Sequence, residues 1–173
     1  MKKILVFVML MFLLTGCKAQ ETFETIGNAY EESAVTDVWQ IAVDLPGEMA
    51  MPVMQTQSAD KLYEGEGFTL STHIGQGGDM NRTLLEHTGL SKDKLNVICT
   101  DCGQWKRYDA AWTTAGEGGA QTGRIAILDD GKTHFVMVAM TPAENAGEIT
   151  EVWQPIFRSF RLEAYGTQVN TGS

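Results

Sequence analysis

The chain has 173 residues and a formal net charge of −9, with 22 acidic side chains against 13 basic ones. That balance argues against binding nucleic acid or an anionic lipid surface through bulk electrostatics. The length is that of one domain with a single hydrophobic core.

Lys2-Lys3 precede an apolar run from Ile4 to Leu14, and Thr15-Gly16-Cys17 follow it. A basic start, an apolar segment and small residues at a cleavage point make an export signal, not part of a fold. The apolar run is too short for a bilayer core, which needs roughly twenty residues, and no later stretch is long and apolar enough. Leu14-Thr15-Gly16-Cys17 resembles the lipobox of bacterial prolipoproteins. The resemblance implies that residues 1–16 are removed and that Cys17, now first, carries a diacylglycerol. Two acyl chains on one residue suffice for stable anchoring, each buried CH₂ contributing about 0.8 kcal/mol. The implied location is the extracytoplasmic face of a cell membrane, with a lipid anchor. Cleavage leaves 157 of the 173 residues, and losing Lys2 and Lys3 takes the charge from −9 to −11.

Residues 17–36 are polar and acidic and read as a tether, with a short ordered piece around Phe23-Glu24-Thr25-Ile26. The folded domain is expected over 37–163 and a disordered tail over 164–173. Trp39, Ile41, Val43 and Leu45 alternate with Gln40, Ala42 and Asp44, which predicts a strand stopped by Pro46-Gly47. Residues 51–64 read as two short strands or a hairpin around Ser58-Ala59-Asp60. Phe68, Leu70, Thr72 and Ile74 mark one face of the next strand. After Gly75-Gln76-Gly77-Gly78, Asp79 is a helix N-cap and Gly89 its C′ residue, with Met80, Leu84 and Leu85 as the buried stripe.

Leu95, Val97 and Cys99 alternate as a strand, joined by a Cys-Thr-Asp-Cys-Gly turn to a second strand from Gln104 to Thr114. Residues 115–123, rich in glycine, read as a mobile loop. Asp129-Asp130-Gly131 is a hairpin signal between 124–128 and 132–140. Phe135 to Met140 is apolar on both faces, which places it centrally in a sheet. Ile149, Val152, Trp153, Ile156, Phe157 and Phe160 recur at helical spacing over 144–160, with Pro155 expected to kink or restart the helix.

These elements predict an α+β fold: a single antiparallel sheet of six or seven strands, with the C-terminal helix on one face and the Met80–Glu86 helix on the other face or an edge. The order hairpin, apolar strand and helix, ending Trp153…Ile156-Phe157-Arg158-Ser159-Phe160-Arg161-Leu162, resembles the end of PsbP-like domains. The resemblance implies an α/β/α sandwich closed by a last short strand. It also implies a non-enzymatic role in assembly or in binding small partners. No ligand residue of that family maps onto this sequence.

Cys99-Thr100-Asp101-Cys102 is the sharpest candidate for chemistry. With Cys17 lipidated, Cys99 and Cys102 are an even pair outside the reducing cytoplasm. A four-residue turn brings its ends within about 7 Å, and a disulfide accepts about 4.4–6.8 Å, so Cys99–Cys102 is a candidate structural disulfide. A redox dithiol would want a helix N-terminus beneath the first thiolate, where strands are expected instead; Lys106 and Arg107 nearby could still lower a thiolate pKa. A zinc site needs four ligands, and His73, His87 and His134 are scattered along the chain. The glycine-rich connector at 75–78 fits neither dinucleotide nor P-loop spacing. Asp129-Asp130 lacks the spaced oxygens of a calcium loop. Trp105, on the strand face shared with Arg107 and Asp109, is a candidate exposed aromatic for a binding surface. The expected function is therefore a cell-envelope lipoprotein that binds or helps assemble a protein or small-molecule partner. It is expected to lack enzymatic activity and any cofactor beyond the lipid on Cys17. The alternative is an extracytoplasmic thiol-redox or metal-handling protein using Cys99 and Cys102.

Overall fold

The computed structural model describes residues 23–29, 39–56, 60–116 and 118–164. The expected export signal, Cys17 and residues 165–173 lie outside the described residues. Seven strands form the main sheet: β3 (Met54–Gln55), β4 (Lys61–Gly65), β5 (Phe68–Gln76), β6 (Ile98–Asp101), β7 (Lys106–Gly116), β8 (Gly119–Asp129) and β9 (Thr133–Pro142). Their order is β3-β4-β5-β9-β8-β7-β6, all neighbours antiparallel. β9 is the middle strand of the seven, and its first seven residues are buried on both faces. Its continuous apolar run required this position, since either face exposed would cost the burial of several large side chains.

A second sheet was not legible in the sequence. β1 (Phe23–Ala29), β2 (Trp39–Pro46) and β10 (Arg161–Ala164) form a separate antiparallel three-stranded sheet with β2 in the middle. β1 lies inside the stretch expected as tether, so the paired chain begins at Phe23 rather than near Asp37. Ala164, expected in the tail, is the last residue of β10. Both strands are short of apolar residues, and each is held by its ladder to β2 rather than announced by its own pattern.

Alternate residues of β8 and β9 feed two cores. Ala126, Leu128, Phe135, Met137 and Ala139 meet the small sheet and helix α2 (Ala146–Ser159), which contribute Ile41, Val43, Leu45, Ile149, Trp153, Ile156 and Phe157. Ile125, Ile127, Val136 and Val138 face the other way, toward Ala110, Trp112, Leu95 and Leu84 of helix α1 (Met80–Thr88). The layers are thus α1, the seven-stranded sheet, then α2 with the small sheet. The fold class is α+β as expected, with the extra sheet as a correction to the single-sheet picture.

Arg107 pins the end of α2 to the sheet. Its guanidinium forks onto both Asp109 oxygens at 2.8 and 3.0 Å and donates to the carbonyls of Phe157 (2.7 Å) and Phe160 (3.2 Å). Those carbonyls belong to the last turn and cap of the helix, where no further amide is available to them. Arg161 does the same for the small sheet, bridging Asp44 of β2 and Glu163 of β10.

Three local expectations need correcting. Residues 115–116 and 119–123 are strand, not loop: β7 and β8 pair as far as Gly116↔Gly119. The glycines disguised a ladder that backbone alone can build. Gly123 is required there, because a Cβ would drive into the Trp112 ring and lie 2.6 Å from Met140 Sδ. Leu85 is 49 % exposed, while Thr83, Leu84 and Thr88 form the buried stripe of α1. The strand expected from Leu95 begins only at Ile98, and Leu95 is buried from the 3-10 turn before it.

Candidate functional site

A cleft of about 820 Å³ lies beside α2. Three pieces of chain build it. β2 ends at Pro46 and turns through Gly47 and Glu48; the β4–β5 turn brings Glu66, Gly67 and Phe68; and α2 supplies its outer side from Asn145 to Pro155. Glu148, Glu151, Val152 and Pro155 fall at i, i+3, i+4 and i+7, so they line up on one helix face. Val152, expected in the buried stripe, is instead 39 % exposed at this cleft. Phe68 and Ile149 form the floor and are backed by Trp153, whose ring meets Phe68 edge-on with centroids 6.1 Å apart.

Pro155 has a second effect here. It sits inside α2 without breaking it, but it has no N–H. The carbonyl of Glu151, four residues earlier, therefore lacks the amide that would normally bond it. Both residues line the cleft. Among the described residues the lining carries four glutamates (Glu48, Glu66, Glu148, Glu151) and no Lys, Arg or His.

A second cavity, about 440 Å³, lies at the seam between α1 and the main sheet. It gathers all three histidines of the chain, which are far apart in sequence. His73 on β5 and His87 on α1 stack with ring centroids 4.6 Å apart. His73 Nδ1 lies 3.3 Å from Asp60 and its Nε2 lies 2.9 Å from Ser71 Oγ. His134 is buried under the helix, its Nδ1 2.7 Å from Thr83 Oγ1 and its Nε2 3.7 Å from Asp129. Burial pushes the His134 imidazole below its ordinary pKa, and the nearby Asp129 only partly offsets it. His87 is lowered too, first by burial and then by His73. Among the described residues no group of three or more His, Cys, Asp or Glu is arranged to hold a metal ion.

Sequence reasoning missed this seam because its partners arrive from β5, α1 and β9. The one local signal was weak: His73 and His87 flank a strand-to-helix connection. Its glycines are structural, with Gly77 N–H donating to Lys132 O at 2.7 Å and Asp79 accepting from Arg82 N–H at 3.0 Å.

Cys99 and Cys102 are exposed free thiols at the β6–β7 hairpin. The turn falls later than the sequence suggested. β6 runs to Asp101, and Cys102 N–H bonds Trp105 O at 3.0 Å, so Gly103-Gln104 is the tip. Cys99 to Cys102 is thus three extended steps, about 10 Å at the usual strand rise, against the ~7 Å limit for a bridge. A bond between them needs this end of the hairpin to rearrange. The strand partner of Cys99 is Tyr108. Burial, and then the neighbouring Cys99, raises the Tyr108 phenol pKa. Trp105 is not the expected free aromatic. It is half-buried against Trp39 of the small sheet, centroids 5.3 Å apart and nearly perpendicular. Asp129 and Asp130 cap their own hairpin, accepting from the amides of Gly131, Lys132 and Thr133.

No protein-family model matches the sequence, and no curated protein matches it. Two solved structures are similar to this chain. A protein of Bacteroides thetaiotaomicron VPI-5482 aligns with TM-score 0.46 and 13 % identity over 73 % of this chain; this chain spans 45 % of that protein's length. LpqN of Mycobacterium tuberculosis, described as involved in cell envelope biogenesis, aligns with TM-score 0.51 and 9 % identity, covering 81 % of this chain and 91 % of LpqN. The chain therefore has an LpqN-like α+β fold.

Proposed function

We propose that this protein is a lipid-anchored component of the cell envelope with a non-catalytic role, holding a partner in the cleft beside α2. The observation that carries the reading is the cleft itself. It is about 820 Å³ and open along three turns of a helix whose other side is locked into the core. Two further facts support it. The fold is shared with LpqN, whose description concerns envelope biogenesis, and Leu14-Thr15-Gly16-Cys17 resembles a lipobox. The closing order of α2, Ser159-Phe160 and β10 is consistent with the PsbP-like resemblance and its assembly roles. No cofactor beyond the acyl lipid is invoked.

The test has two arms. Cys17→Ser should move the protein from the membrane fraction to the soluble one and abolish incorporation of labelled palmitate. Val152→Arg, which fills the cleft from an exposed position, should remove the protein that copurifies with the anchored chain from solubilised membranes and leave the melting temperature unchanged. Copurification that is indifferent to Val152→Arg would rule the cleft out. The alternative, a thiol-redox role, rests on the exposure of Cys99 and Cys102; it requires that the folded protein reduce a test disulfide and that Cys99→Ser abolish this.

A further inference from the structure

The chemistry of the cleft narrows its occupant. We infer that it receives a cationic amphipathic peptide segment, one carrying lysine or arginine beside apolar side chains. This rests on the cleft being the binding site. The floor of Phe68, Ile149, Val152 and Pro155 is apolar, and the rim holds four carboxylates with no cation among the lining residues to neutralise them. Glu148 and Glu151 are like charges three residues apart on one helix face, an arrangement that destabilises an isolated helix. Glu148 in the first turn offsets the positive end of the helix dipole; Glu151, a turn further along, has no such justification. The Glu151 carbonyl adds an acceptor freed by Pro155, and the Asn145 amide is the sole side-chain N–H donor of the lining.

Almost every polar side chain of the lining is thus an acceptor, which suits a ligand that brings donors and positive charge. Lysine and arginine fit both parts of the site, because their methylene stems lie along apolar surface while the charged head reaches out to the rim. An anionic lipid headgroup meets the opposite field and is disfavoured.

The test measures binding of short synthetic peptides to the mature chain, residues 17–173, by fluorescence anisotropy at low salt. Three peptides are compared: alternating lysine and leucine, alternating serine and leucine, and alternating glutamate and leucine. The lysine peptide should bind most tightly and weaken as ionic strength rises. Glu148→Gln combined with Glu151→Gln should weaken it about two- to tenfold, as expected for two rim ion pairs. Neutralising two exposed acids far from the cleft, Asp93→Asn with Asp101→Asn, should leave it unchanged. Equal losses in the two double variants would overturn the inference, since net charge and not the cleft would then set the affinity. A serine peptide that binds as tightly as the lysine peptide, and is lost with Val152→Arg, would overturn the cationic preference while leaving the cleft as the binding site. Failure of every peptide, with membrane copurification also indifferent to Val152→Arg, would overturn both.

Discussion

At the scale of single residues, the three histidines carry the clearest chemistry that the sequence hid. Read singly they are a strand residue, a helix residue and the start of a buried strand. Folding places them on one seam, where His73 meets Asp60 and the His87 ring of α1, and His134 bonds Thr83 of α1. The seam predicts an acid-sensitive fold. Burial holds the pKa values of His134 and His87 below the ordinary 6.5. Above pH 6.5 these groups are neutral both folded and unfolded, and stability is complete. As pH falls below 6.5, the unfolded chain binds protons that the folded chain refuses, so stability drops until the lower folded pKa is reached. Facing His134 are Asp129, Asp130 and Arg82, the acids softening the effect and the arginine sharpening it; facing His87 are His73, Glu86 and Asp60. The melting temperature should therefore fall by a few degrees between pH 7 and pH 5.5, a window above the ordinary carboxylate range near 4. His134→Gln combined with His87→Gln should flatten that slope while allowing residue 134 to keep a hydrogen bond to Thr83. A slope unchanged in the double variant would assign the acid sensitivity elsewhere.

At the scale of elements, the legible parts are those whose signal is local. Asp79 and Gly89 bracket α1 as a cap and a left-handed C′ residue at φ 72°. Asp129-Asp130-Gly131 marks a hairpin, and the apolar run of β9 marks the centre of a sheet. What escaped depended on a neighbour. The strand ends around 115–123 are glycine-rich and show no periodicity, because the backbone ladder and the Trp112 ring decide their course. Trp105 reads as exposed only until β2 brings Trp39 against it. The cleft was not legible at all, since its glutamates come from three separate segments and each looks like ordinary surface charge. The β6–β7 hairpin shows how the placement of one turn changes a chemical expectation. With the turn at Cys102–Trp105 rather than Cys99–Cys102, the two sulfurs lie on an extended segment. Thiol labelling of the native, unreduced mature protein should accordingly count two reactive thiols per chain. A count of zero, restored to two only by reductant, would mean that the hairpin end adopts the tighter turn and closes a disulfide.

At the scale of the whole molecule, the small sheet changes how the domain would relate to the proposed anchor. A tether running to residue 36 would let the domain range far from the membrane. With β1 beginning at Phe23, six residue steps separate it from Cys17, a reach of at most about 20 Å in any conformation. A diacylglyceryl Cys17 would then hold the small sheet close to the membrane surface, together with the cleft that begins where β2 ends at Pro46. The consequence for stability is direct. β1 pairs with β2 from Phe23↔Pro46 to Ala29↔Gln40, whereas β10 covers the other edge of β2 over only four residues. β2 in turn delivers Ile41, Val43 and Leu45 to the core shared with α2. Removing β1 takes away several backbone hydrogen bonds, each contributing about 0.5–1.5 kcal/mol net, and leaves a β-branched strand with an open edge ready to pair with another chain. Two soluble forms of the protein test this, one starting at Lys18 and the other at Asp37. The shorter should melt several degrees lower, at about 2–4 °C per kcal/mol for a domain of this size, and should self-associate with concentration in sedimentation equilibrium. Its cleft should also bind the lysine–leucine peptide more weakly, because Gly47 and Glu48 hang from the loosened strand. Identical melting and monomeric behaviour in both forms would return residues 17–36 to the role of a plain tether and place the domain boundary near Asp37.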